Sequence, residues 1–211
     1  SGETLECEDE DDCTSDLCEP LIGCSFPTEA VCLPPTAWPV INEVDYDQFG
    51  EDTSDFIELL IVGEGTANME LYTLELIDGS TDNLYDLIQL SQAAEFLSPG
   101  DRVVIGPPSL ANNGHPNSNG IVVPGGFLQN GGVLGDAIRV VRNGDENIDV
   151  VSYETTIIGF SEGESHIGVD EAQGQNPHSL GRCEDGFDSD ENGEDFASMP
   201  PSPGLPNLCD E

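Results

Sequence analysis

Between positions 38 and 153 the chain is a succession of short apolar runs rich in β-branched residues, each closed by a turn signal. This punctuation constrains the fold more than any other feature, because no window sustains the 3.6-residue period that a buried helix needs. Strands are expected at 40–45, 55–62, 70–77, 84–90, 102–106, 137–142 and 148–153, with weaker candidates at 121–123 and 166–169. Asp78-Gly79, Pro99-Gly100, Gly131-Gly132 and Asn143-Gly144 supply the turns, and Asn143-Gly144 marks the clearest hairpin. Strands this short and this frequent predict an all-β fold, an Ig-like β-sandwich. The Gly/Asn/Pro-rich stretch 107–132 is expected to be a surface excursion, and 183–211 an acidic C-terminal loop wrapped over the sandwich.

Electrostatics narrows the function. The 211 residues carry 43 acidic and 4 basic side chains, a formal net charge of −39, and every basic residue is an arginine (Arg102, Arg139, Arg142, Arg182). With so few cations the chain cannot bind nucleic acid through phosphate neutralisation, nor dock on an anionic membrane. The absence of lysine excludes Schiff-base chemistry, a Walker lysine and isopeptide cross-links. Cations or basic partners are what such a field attracts.

Cysteines set the compartment. Cys7, Cys13, Cys18, Cys24 and Cys32 crowd the N-terminus, and Cys183 and Cys209 lie near the other end. Their spacings lack the C-x2-C pairs of zinc sites, so disulfides in an oxidising compartment are the expectation: a secreted, extracellular or cell-surface protein. The opening Ser1-Gly2 fits removal of a signal peptide or tag, and no run of 18 apolar residues predicts membrane insertion. Pairing Cys7 with Cys18 and Cys13 with Cys24 is one connectivity. Cys183 can then bridge to Cys209, or Cys32 can reach the C-terminal segment. Seven is odd, so at least one sulfur is a free thiol or bonded outside this chain. The domain plan is a Cys-rich acidic arm at 1–33, too short to bury a core, a Pro-rich linker at 34–39 and the sandwich at 40–211.

Two acidic groups have ligand-like spacing. Asp188-Ser189-Asp190-Glu191-Asn192-Gly193-Glu194-Asp195 places oxygen ligands at alternate positions ahead of a glycine, like the first half of an EF-hand loop. Met199 occupies the twelfth position, where an EF-hand has glutamate. Asp188, Asp190 and Asn192, completed by Asp195 or Asp185, are therefore candidate ligands of a β-protein Ca2+ loop. The second group is Glu43, Asp45, Asp47, Asp52 and Asp55, with Glu58. Neighbouring strands would bring these carboxylates together, and a cation would relieve their mutual repulsion. Against both stands the plainer reading of solvated acids and Asp-capped turns. No catalytic residue is assigned: the chain has no G-x-S-x-G, H-E-x-x-H or phosphate loop.

Residues from about 40 to 207 resemble the lamin tail domain family in its secreted bacterial form. The resemblance rests on the opening Val40-Ile41-Asn42-Glu43-Val44-Asp45-Tyr46-Asp47 and Asp52-Thr53-Ser54-Asp55-Phe56-Ile57-Glu58-Leu59, then on Gly135-Asp136-Ala137-Ile138-Arg139-Val140-Val141 and Val150-Val151-Ser152-Tyr153. It closes with Ser179-Leu180-Gly181-Arg182-Cys183-Glu184-Asp185-Gly186, Asp195-Phe196 and Ser202-Pro203-Gly204-Leu205-Pro206-Asn207. Asp55 stands where the family usually has Glu, and no heptad repeat accompanies the domain. The resemblance implies an Ig-like sandwich, usually non-catalytic, that serves in attachment or assembly. The arm, through Asp12-Cys13-Thr14-Ser15-Asp16-Leu17-Cys18-Glu19-Pro20 and Gly23-Cys24, is similar to short Cys-rich modules of bacterial surface proteins. The expected function is a structural module of an extracellular, fibre-like assembly, partnered by itself or another extracellular protein. An adhesion accessory for carbohydrate or mineral is the alternative, and a hydrolase has only surplus carboxylates behind it.

Overall fold

The computed structural model describes residues 17–19, 23–26, 36–163 and 178–209. The chain divides into two compact units, Ser1–Pro35 and Thr36–Glu211. The first contains a small antiparallel hairpin, β1 (Leu17–Glu19) and β2 (Gly23–Ser25), in which Cys18 lies opposite Cys24.

The second unit is built from two sheets. Its strands are β3 (Ala37–Asp45), β4 (Phe56–Gly63), β5 (Ala67–Asn68), β6 (Tyr72–Asp78), β7 (Asn83–Gln89), β8 (Phe96–Leu97), β9 (Arg102–Gly106), β10 (Ser118–Val122), β11 (Asp136–Arg142), β12 (Glu146–Tyr153), β13 (Ser179–Arg182) and β14 (Phe196–Met199). The six-stranded sheet runs β10-β9-β4-β3-β13-β14 and the four-stranded sheet β12-β11-β6-β7, while β5 and β8 form a separate short pair. Alternation explains the faces. Ile57, Leu59 and Ile61 on β4 and Leu74 and Leu76 on β6 point into one core shared by both sheets, with Val103, Ile138, Val140, Val151 and Tyr153. A smaller cluster, Ile77, Ala137 and Ile157 with Phe160, lies outside this core.

All seven principal strands expected from the sequence form, and 121–123 falls within or beside β10. The candidate at 166–169 lies outside the described residues. Three details differ. The stretch 107–132 is not simply an excursion, since β10 returns parallel to β9 after a one-turn helix, α1 (Pro108–Ala111). The C-terminal region also holds β14, preceded by a helical turn α2 (Asn192–Asp195). A four-residue strand is too short to show alternation and is fixed by its backbone pairing to β13. Finally, β3 begins at Ala37, so Pro39 lies in a strand rather than a linker. That is tolerated because Ile61, opposite Pro39 on β4, turns its amide and carbonyl to Asp101 and Gly100, while on the other side β13 pairs with β3 only at Glu43 and Val44.

Cys183 and Cys209 are bridged, with Cα atoms 5.4 Å apart. Cys24 is also disulfide-bonded. The pairings of Cys7, Cys13 and Cys32, and the side chain of Cys18, lie outside what is described. No cysteine among the described residues is free.

Candidate functional site

The functional geometry is a set of buried carboxylates held by very few cations. Arg182, at the end of β13, is the largest fully buried side chain. Its Nε donates to the Ile41 carbonyl at 2.8 Å, and its Nη1 to the Phe187 carbonyl at 2.9 Å and Asp195 Oδ2 at 2.7 Å. Nη1 is also 3.3 Å from Asp188, while Nη2 lies 3.2 Å from Asp149 Oδ1. The guanidinium stacks over the Phe196 ring at 4.5 Å. Asp149 comes from β12 in the opposite sheet and accepts the Ile41 amide at 2.6 Å. Arg182 and Asp149 thus staple one sheet to the other.

Glu162 approaches this staple from the loop after β12. Its carboxylate accepts from the Val150 amide at 3.3 Å and Asn192 Nδ2 at 3.4 Å. Carboxylate oxygens of Asp149, Glu162 and Asp188 all lie within 4.8 Å of one another, the one such trio among the described residues. Burial pushes the Asp149 carboxyl up, against the pull of Arg182. Burial, and then repulsion from Asp149 and Asp188, push Glu162 up as well. An all-carboxylate donor set suits a hard cation such as Ca2+ or Mg2+ and does not choose between them. Arg182 already neutralises part of the charge, so the trio offers a cation fewer free lone pairs than three isolated acids would.

A second network lies on the outer face of the six-stranded sheet. Glu43 and Glu58 oppose each other in the β3–β4 register and are both 0% exposed. Glu43 accepts from Ser179 Oγ at 2.5 Å, the Ser202 amide at 2.8 Å and Ser202 Oγ at 3.1 Å. Glu58 accepts from the Gly204 amide at 2.6 Å, Asn42 Nδ2 at 3.0 Å and Arg102 Nε at 3.2 Å. Asp185 completes the network, accepting from Arg102 Nη2 at 2.5 Å, the Asn207 amide at 3.0 Å and Asn42 Nδ2 at 3.1 Å. Asn207 Nδ2 donates to the carbonyls of both Asn42 and Arg182 at 2.9 Å. Burial raises the Glu43 carboxyl and pushes Glu58 up to about 7, since Arg102 and the amides offset only part of the desolvation. This clasp fastens the segment 199–209 over the sheet, and the Cys183–Cys209 bridge closes it covalently.

The sequence candidates are therefore sorted. Of the acidic loop, Asp188 enters the trio. Asp195 takes Arg182 and the Ser189 amide and hydroxyl. Asn192 bonds Glu162, and Asp185 belongs to the clasp. The Asp190 amide donates to Asp188 Oδ1 at 3.2 Å with φ 59°, so this part of the loop is an Asp-capped turn. Glu43, Asp45, Asp47, Asp52 and Asp55 are not gathered into one group. Asp45 accepts from Gln48 Nε2, Asp52 from the Gln48 amide and Asp47 from Asn130 Nδ2. Fully buried Asp55 holds the amides of Gly126 at 2.7 Å and Leu128 at 2.9 Å. Sequence reasoning missed Asp149 and Glu162. Asp149 left one signal: it shares the inward face of β12 with Val151 and Tyr153, where an acid has to be paired.

Family models, curated proteins and solved structures were all compared with the chain, and none matches it.

Proposed function

We propose that the chain is a non-enzymatic structural module of a secreted, cell-surface or extracellular assembly. Its described body is read as an Ig-like sandwich of the lamin tail type, preceded by a Cys-rich arm. The observation that carries this reading is the use made of buried charge: Arg182, Arg102 and five buried or half-buried acids tie sheet to sheet and the C-terminal segment to its sheet. The residues quoted for the opening and closing sequence blocks, Asn42, Glu43, Arg182, Ser202, Gly204 and Asn207, meet in these networks. In this architecture the carboxylates serve as internal ties of the fold.

Calcium is proposed as the stabilising ion, with Asp149, Glu162 and Asp188 as its carboxylates. The motive is their proximity in a chain of net charge −39. Electron microscopy and non-reducing gels, each with and without EDTA, test the assembly reading. Ordered oligomers that dissociate on chelation or reduction are expected, and a monomer indifferent to both treatments rules the reading out.

A further inference from the structure

At one end of the two-sheet body, Asp136 pins the β6–β7 turn to the loop that precedes β11. Its Oδ1 accepts the Gly79 amide and its Oδ2 the Gly131 amide, both at 2.9 Å. Gly79 is closely packed there: a Cβ would stand 2.3 Å from the Gly135 carbonyl oxygen and 2.6 Å from Ile157 Cδ1. A Cβ on Gly135, at φ 69°, would meet Thr155 Cγ2 and the Tyr153 carbonyl at 2.7 Å. This end is therefore built to hold its loops still. What it holds out is apolar: Ile158 is 96% exposed, Val133 94% and Leu134 55%. Apolar side chains presented so fully from a pinned support are a docking feature more than a packing one.

Charge identifies the occupant. Acids flank the tip, with Asp78 beside Gly79, Asp82 in the same turn, Glu154 against Gly131 and Asp47 bonded to Asn130. All four of the chain's cations are spent internally: Arg102 on Glu58 and Asp185, Arg139 on Glu75, Arg142 on Glu146, and Arg182 on Asp149, Asp188 and Asp195. A second copy brings the same acids, no lysine and no arginine without an acidic partner, so it cannot complement the rim. We propose that Val133, Leu134 and Ile158 form the docking tip for a different protein, one that presents an apolar patch ringed by lysine or arginine. This inference goes beyond the structural-module reading and does not depend on it.

The test uses the full chain, the double variant Val133→Ser/Ile158→Ser, and Phe96→Ser as a control, since Phe96 is 55% exposed on β8, beside the start of β6, whereas the tip lies past the end of β6. The probe is a synthetic amphipathic peptide of alternating leucine and lysine, with a serine–lysine peptide of equal charge beside it, both at near-physiological salt. The wild type is expected to bind the leucine–lysine peptide about tenfold or more tightly than the double variant, the scale of burying one or two aliphatic side chains. The serine–lysine peptide should bind both alike, and Phe96→Ser should behave as wild type. Equal affinity of wild type and double variant for the leucine–lysine peptide overturns the proposal, as does equal weakening by Phe96→Ser. Sedimentation supplies the other arm: a wild-type dimer that the double variant loses makes a second copy the occupant and overturns it too.

Discussion

Glu43 and Glu58 are direct cross-strand partners on β3 and β4, and both are completely buried. Like charges placed opposite each other destabilise a sheet. They are accommodated because the C-terminal segment supplies Ser202 and Gly204 as donors, and Arg102 reaches Glu58 from β9. The fold's stability is therefore tied to the protonation of its interior and to the closure of the segment 199–209.

The pH dependence follows in sign. A carboxyl whose pKa is higher folded than unfolded binds its proton more tightly in the native state, so acidification favours folding. For Glu58 the window runs from its folded value of about 7 down to its ordinary value of 4.5. Glu43, Asp55, Asp136, Asp149 and Glu162 are raised and push the same way. Thermal melts should give a higher Tm at ~pH 5.5 than at ~pH 8, with a smaller difference in Glu58→Gln. A Tm that falls over this interval contradicts the assignment.

Removing the inter-sheet staple is expected to be severe. Arg182→Met leaves Asp149 and Asp195 buried without their cation, a loss of about 3–5 kcal/mol. The double variant Arg182→Met/Asp149→Asn should recover part of that loss, because the stranded charge goes with the arginine. Urea denaturation measures both. Additive losses in the double variant would mean that the two side chains are not coupled.

Divalent cations should substitute for protons at the trio. At ~pH 8 and low salt, Ca2+ is expected to raise the Tm of the wild type, and EDTA to reverse the gain. Glu162→Gln/Asp188→Asn should abolish most of the increment, and calorimetric titration should show the site lost. An increment equal in wild type and variant would place the ion elsewhere or reduce the effect to screening.

The Cys183–Cys209 bridge closes a loop whose ends are 26 residues apart. Its loss through Cys183→Ser/Cys209→Ser should cost about 3 kcal/mol. The local consequence is more telling: hydrogen exchange at the amides of Ser202, Gly204 and Asn207, which hold Glu43, Glu58 and Asp185, should accelerate more than in the strands. Uniform acceleration would show that the segment is not fastened as a unit.

Cysteine parity gives a fifth expectation. With Cys183 and Cys209 paired to each other, five of the seven cysteines remain, all in the arm. Five sulfurs cannot all pair with one another. Alkylation and mass spectrometry under denaturing, non-reducing conditions should find one labelled arm thiol, or an interchain bond through an arm cysteine. Neither being present would contradict the sequence or the bridge.

The all-β class and seven principal strands were legible in the sequence, because alternation and turn dipeptides are local and each strand carries its own copy of the signal. Which face of 55–62 turns inward was not, since both are mostly apolar; packing chose Ile57, Leu59 and Ile61. The chemistry of the charges was not legible in that way. Asp188 was visible as a ligand-like residue, yet its companions Asp149 and Glu162 lie 39 and 26 positions earlier, on a core strand and the loop after it. Glu43 looked like one of several loop-end carboxylates until Ser202 closed over it. In a chain of net charge −39, the sequence by itself determined that acids had to be neutralised and that four arginines could not do it everywhere. Only the tertiary structure decided which acids share a cation, which take backbone amides and which face water. Desolvation and Coulomb energies depend on distances between residues far apart in the chain, and those distances exist only once the sheets have packed.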